Sequence, residues 1–261
     1  IWLAQRDGRA KDSNDTTQPG LLKMLTLSAP RGASIAESIE SLHLVPMAIS
    51  YEYDPCDALK AVELLARRRN QPTEDLVSMR TGLSGRKGRV HIKVAEPLHD
   101  LASLYEPEAS KNEQLAAIAR EIDRQIFLSY RFYPSNYIAY DIVRGGDQFD
   151  SMYSRKERLL FELYVEEQMD AAKVATKDRE EVAHMIFDAY ANPLVNNLIT
   201  RKIIRRYVLL RKILSSMSWF ECKVTYEKEI AESGKVQKVH EYYLVDALTF
   251  TEAEERMSGE M

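Results

Sequence analysis

From Val45 to Tyr51 the chain reads Val-Pro-Met-Ala-Ile-Ser-Tyr, a near-continuous apolar run of strand length. Such a run fits a strand covered on both faces, as in a largely parallel sheet, better than the alternating pattern of a half-solvated strand. Pro46, near its start, obeys the positional rule for proline in strands. Helical patterns flank the run. One is expected at 18–27 and another at 34–42 with Ser34 as N-cap. After Asp54-Pro55 a third reaches about Arg69. Glu74–Thr81 is a shorter helical stretch, and Gly82, Gly85 and Gly88 lead from it to a strand over Arg89–Ala95. Strands alternating with helices give an α/β class.

Downstream, Ser110 and Glu113 form a capping box, and Leu115, Ile118, Ala119, Ile122 and Ile126 repeat at helical period behind it. Ser154–Val174 and Asp178–Ala191 read as a C-terminal helical appendage. The aromatic segment Tyr130, Phe132, Tyr133, Tyr137 and Tyr140 reads as packing of these helices on the sheet, or as a membrane-interface contact or the lining of an acyl groove. From Ile203 to Ser216 there are four cations and no acid, a basic linker or junction, with an amphipathic membrane-binding helix over 203–212 as the alternative. Beyond it the pattern changes to period two. Trp219–Tyr226 and Val236–Val245 are expected to pair through a turn at Glu232–Lys235. Thr251 and Glu254 form a last capping box. Three parts result: 1–202, 203–216 and 217–261.

A net charge of −4 and a pI near 5.9 argue against a nucleic-acid partner, which needs a basic face. Cys56 and Cys222 lie too far apart for metal-ligand spacing, so no metal is expected, and they suit a reducing compartment. No apolar run approaches the roughly 18–20 residues that span a bilayer.

The opening stretch carries the most chemistry. Ile1–Ala4 reads as a strand that ends in an Asp7-Gly8 turn with Arg6, Arg9 and Lys11 around it. Arg6 and Arg9 can hold a phosphate bidentately, and Gly8 lets the backbone approach the ligand. Asp7 can orient an arginine or accept a ligand hydroxyl. The strand starts in mid-stride, so the chain reads as part of a longer protein.

Set beside Val45-Pro46-Met47-Ala48-Ile49, the block Arg6-Asp7-Gly8-Arg9 resembles the latter half of the catalytic core of the glycerolipid acyltransferase superfamily, the 1-acyl-glycerol-3-phosphate acyltransferases. A bacterial branch is similar over Gly8–Asp12, Ile49–Asp57, Tyr133–Asp141 and Tyr190–Leu194, so the resemblance covers about 1–202. It implies an acyltransferase-type sheet with flanking helices. It also implies transfer of a fatty acyl group from acyl-CoA or acyl-ACP to a glycerol-phosphate acceptor in phospholipid biosynthesis. Such an enzyme works in the cytoplasm, peripherally on the inner face of the cytoplasmic membrane, with no cofactor beyond the thioester co-substrate.

Asp7, Gly8 and Arg9, with Arg6 and Lys11, would bind the acceptor phosphate, and Val45 and Pro46 would shape the site. The family's usual Glu is Asp7 here, and its Thr-Arg is replaced by Arg9-Ala10. The family's catalytic block, a His followed after four residues by Asp, is absent. None of His43, His91, His99, His184 or His240 has Asp five positions on. That block is expected upstream of Ile1, leaving no catalytic residue in this sequence. The alternative is a non-catalytic anion- or lipid-binding module. Residues 217–261 resemble the start of a small bacterial domain family of unknown function, with Met217 as its natural start.

Overall fold

The computed structural model describes residues 2–5, 10–66, 72–216, 218–229, 236–247, 251 and 255. Eight α-helices and four strands form among them. The chain divides into two units, Ile1–Arg201 and Lys202–Met261.

In the first unit α1 (Pro19–Thr26) begins with proline at its first helical position, where the missing N–H costs nothing. Ser34 caps α2 (Ile35–Glu40) in a reciprocal box with Glu37. β1 (Met47–Tyr51) follows, then α3 (Asp57–Ala66), α4 (Pro72–Ser84) and β2 (Val90–Val94). Asp54 does not cap α3 directly. It accepts the Cys56 N–H at 2.9 Å in a turn, and the helix starts at Asp57. α5 (Lys111–Ser129) carries the Ser110–Glu113 box, and the expected stripe is its inner face: Leu115, Ile118, Ala119 and Ile126 are buried. α6 (Pro134–Arg144), α7 (Arg155–Ala171) and α8 (Arg179–Ser216) complete the helices.

Two apolar clusters hold the unit. In one, Leu22, Ala36 and Ile39 meet Leu98, Leu101, Leu115 and Ile118. In the other, α3, α6, α7 and α8 pack through Ala61, Ile138, Phe161, Tyr164, Met169, Ile186 and Tyr190.

Several expectations are corrected here. β1 and β2 pair antiparallel, Met47 opposite Val94 and Tyr51 opposite Val90, as an isolated two-stranded sheet. The parallel sheet expected from the apolar run is not present among the described residues, and the protein is a mostly helical α/β mixture. The run is apolar because one of its faces packs on α5 while its other edge borders a cavity. Trp2–Ala4 has no regular structure, so the opening strand is not formed there. The helix expected to end at Ala191 continues past Pro193, and the basic 203–216 segment is helical, the C-terminal part of α8.

In the second unit β3 (Ser218–Glu229) and β4 (Val236–Ala247) form an antiparallel hairpin, with Phe220 opposite Val245 and Tyr226 opposite Val239. The Glu232–Lys235 turn and the Thr251–Glu254 box lie outside the described residues, save Thr251 itself.

Candidate functional site

The segment on either side of the Arg6–Arg9 block is tied down from three directions. Gln5 accepts the Gln18 N–H through its carbonyl at 3.1 Å and donates its side-chain amide to Asp123 Oδ1 at 2.6 Å. The same oxygen accepts the backbone N–H of Thr17 at 2.8 Å and its hydroxyl at 2.6 Å. Lys11 pairs with Glu63 of α3 at 3.3 Å. Asn192 of α8 donates to the Asp12 carbonyl at 2.8 Å, and Asn196 donates to the Asn14 side chain at 3.1 Å. Residues 10–17 are thus stitched to α3, α5 and α8. Arg6, Asp7, Gly8 and Arg9 themselves lie outside the described residues.

A cavity of about 1070 Å³ opens beside this segment. That is just above the roughly 300–1,000 Å³ usual for ligand pockets. Gln5 and Ala10, which flank the Arg6–Arg9 block, line it, and so do Val45 and Pro46. Lys11 does not; its ammonium is committed to Glu63.

The cavity lies between the two apolar clusters. Leu22, Leu25, Leu44, Leu98 and Ile122 border it from one and Tyr190 from the other. The leucines give it an apolar end. Towards Tyr190 the wall becomes polar, with Asp54, Lys60, Asn136 and Arg131.

The polar wall is built on a buried network. Lys60 pairs with Asp54 at 2.5 Å. The Tyr190 hydroxyl accepts the Asp54 N–H at 2.7 Å and donates to Asp57 Oδ2 at 3.0 Å, while the Tyr164 hydroxyl donates to the Asp54 carbonyl at 3.2 Å. Asn136 holds the Tyr190 carbonyl at 2.9 Å. Asp57 is 4% exposed, and burial, reinforced by the neighbouring Asp54 charge, pushes its carboxyl up to about 7. Burial raises the hydroxyls of Tyr164 and Tyr190 as well, and it raises that of Tyr130, on the cavity wall, to about 12 with help from Asp15 and Asp123. All three hydroxyls stay neutral at physiological pH.

Spacing in the sequence singles out none of Asp54, Lys60, Asp57, Tyr190 or Arg131. Asp54, Asp57 and Tyr190 do fall inside the blocks that carry the acyltransferase resemblance, the nearest thing to a signal. Of the described histidines, His43 alone borders the cavity, and its backbone φ is +49°. No group of acidic, cysteine or histidine residues suited to a metal forms among the described residues, and no helix among them is long and apolar enough to cross a membrane.

Neither the curated proteins nor the solved structures include a match to this chain. One part of it has a recognised counterpart: residues 218–261, which contain the β3–β4 hairpin, match the model of a domain of unknown function (DUF4494).

Proposed function

We propose that residues 1–202 form the substrate-holding part of an acyltransferase of the glycerolipid type. The reaction is transfer of a fatty acyl group from acyl-CoA or acyl-ACP to a glycerol-phosphate acceptor. One observation carries the reading. Two motifs some forty residues apart in sequence, the flanks of Arg6–Arg9 and the pair Val45-Pro46, border one largely apolar cavity. A leucine-lined end beside a polar end suits an amphipathic ligand with one acyl chain and one anionic head. In this reading Arg6 and Arg9 hold the acceptor phosphate, Gly8 lets it approach, Asp7 orients the cations, and Lys11 braces the loop through Glu63. Their role is positioning, since an oriented acceptor lowers the entropic part of the barrier. The acyl thioester is the only co-substrate, no metal or redox cofactor takes part, and the work is done at the inner face of the cytoplasmic membrane.

The second reading, a non-catalytic anion- or lipid-binding module, is favoured by the absence of any His with Asp five positions on. General-base catalysis contributes typically 10²–10⁴-fold, and the chain carries no such pair to supply it. Calorimetric titration with glycerol 3-phosphate and with a non-hydrolysable palmitoyl-CoA analogue tests the acyltransferase reading, with Arg9→Ala and Arg6→Ala as controls. Both ligands should bind, and glycerol 3-phosphate should bind about tenfold more weakly to each variant. Binding of glycerol 3-phosphate alone, weakened by both variants, would favour the module, whose ligand groups are the cations at Arg6–Lys11. Binding of neither would sink both readings. No turnover is expected from the 261-residue chain.

A further inference from the structure

α4 turns its small residues inward and its large apolar residues outward. Ser78 is buried, and the Cys56 thiol donates to its carbonyl at 3.3 Å. One turn on, a Cβ at Gly82 would lie 3.9 Å from the same sulfur. At Gly85, just past the helix, a Cβ would come 2.4 Å from the Pro55 side chain. The opposite side carries Leu76, Val77, Met79 and Leu83, which are between 54% and 78% exposed. Leu76, Met79 and Leu83 follow one another at i, i+3 and i+7, so they form a single stripe. A helix on a globular core normally buries such a stripe. Apolar side chains gathered in solvent mark a contact with something else.

The surrounding charge selects the partner. Residues 76–95 include Arg80, Arg86, Lys87, Arg89 and Lys93 and no Asp or Glu, in a chain of net charge −4. Arg80 is exposed on the stripe itself, one turn from both Leu76 and Leu83. Arg86 is exposed just past the helix, where Lys87 Nζ donates to the Leu83 and Gly85 carbonyls at 3.2 Å. The centre of a protein interface is depleted of charge, and each partner buries roughly 800 Å², more than four side chains supply. A second copy docked about a two-fold axis through the stripe would set Arg80 against Arg80. An anionic bilayer accepts both features. Its acyl region takes the leucines, while an arginine stem lies along them and brings the guanidinium to lipid phosphate.

We propose that the stripe Leu76, Val77, Met79 and Leu83 is the face by which the protein lies on an anionic lipid bilayer, with Arg80 and Arg86 at the headgroup phosphates. The inference rests on the membrane-surface location in the acyltransferase reading, not on its chemistry. Vesicle binding can fail while glycerol 3-phosphate and the acyl-CoA analogue still bind, and the reverse, so the two failures are distinguishable.

The test is cosedimentation of the full 261-residue chain with sucrose-loaded vesicles. One set is phosphatidylcholine alone, and the other contains about 30% phosphatidylglycerol. The chain should bind the anionic set at least about tenfold more tightly. The double variant Met79→Ser, Leu83→Ser should bind it more than about tenfold more weakly. Arg80→Glu should lose about tenfold on the anionic set and nothing on phosphatidylcholine. These positions are exposed, so the fold should survive the changes.

A second readout needs no comparison of affinities. An environment-sensitive fluorophore on Leu83→Cys, in a Cys222→Ser background, should shift to the blue with anionic vesicles. The same label on Glu108→Cys, an exposed site away from the stripe in sequence, should not. Equal binding to both lipid sets, or no binding to either, overturns the proposal. So does binding that the double variant leaves unchanged, or a label at Leu83 that does not respond. A dimer in sedimentation equilibrium that the double variant abolishes would give the stripe to a second copy and also reject it.

Discussion

Tyr190 donates its hydroxyl proton to Asp57 at 3.0 Å, joining the N-terminal third of α8 to the first residue of α3. The two belong to a network that braces the polar wall of the cavity, and it carries a pH signature. In the unfolded chain Asp57 titrates near 3.9, whereas burial raises it to about 7 in the fold. Between those values the folded state holds a proton that the unfolded state has released, so stability falls as pH rises. The contribution is complete below about pH 4 and lost as pH climbs through 7. A shift of that size corresponds to about 4 kcal/mol. Denaturant unfolding at pH 5 and pH 8 should show the parent chain losing stability toward pH 8, and Asp57→Asn should flatten the difference. An unaltered slope in the variant would mean that another group governs the profile.

Asp123 Oδ1 accepts three hydrogen bonds, two from Thr17 and one from Gln5. Thr17 is 5% exposed, so truncation of Asp123 strands a buried amide and a buried hydroxyl. Asp123→Ala should cost about 2–3 kcal/mol and speed hydrogen exchange at the Thr17 amide. Asp123→Asn, which keeps an acceptor oxygen, should cost less.

The Ser110–Glu113 box closes the N-terminus of α5. Replacing Ser110 by alanine removes the acceptor for the Glu113 N–H, and chemical denaturation should report a loss of about 1 kcal/mol. Ser110→Asp should retain most of the stability, since aspartate is an equally good cap.

Gly88 has φ of +60°, and a Cβ placed there would lie 2.6 Å from Glu52 Oε2. Glu52 binds the Arg89 guanidinium through both oxygens, at 3.1 and 3.0 Å, so the clash falls on an ion pair that is already formed. Gly88→Ala should destabilise by about 1–2 kcal/mol from the left-handed backbone alone. A melting temperature equal to the parent's would show that the turn relaxes freely.

The parts of the fold that can be read from the sequence are those governed locally. Ser34, Ser110 and Ser154 each start a helix where a hydroxyl meets a glutamate three residues on, and the α5 stripe is the face that packs. α6 is hidden beneath its aromatic residues. Pro134 at its first position and Gly145 in the left-handed conformation just past its end are the asymmetry that marks a helix, and they outweigh the tyrosines between them. α8 is legible only as far as Ala191. Asn192-Pro193 reads as a stop, yet the helix continues because Tyr190, Ala191 and Leu194 are buried on one side. The carbonyl that Pro193 leaves without a donor is that of Ala189, and both residues border the cavity. Strand partnership is a non-local matter. Nothing in Val45–Tyr51 announces that its partner is β2 in antiparallel register, or that its other edge stays open. Of the site, Val45 and Pro46 are legible from their motif, whereas the Asp54–Lys60–Tyr190–Asp57 wall exists only through contacts between residues up to 136 positions apart.

The stitching of residues 10–17 sets an order of events in time. The Asp12 carbonyl waits for Asn192, 180 positions away, and Thr17 waits for Asp123, 106 positions away. Contacts so distant in sequence form late, because the long loop they close must first be collapsed. During synthesis the residues that border the cavity from the N-terminal side leave the ribosome well before the α5 and α8 residues that hold them in place. A growing chain that has not yet extruded Asn192 has no finished cavity mouth, whatever else it has already folded.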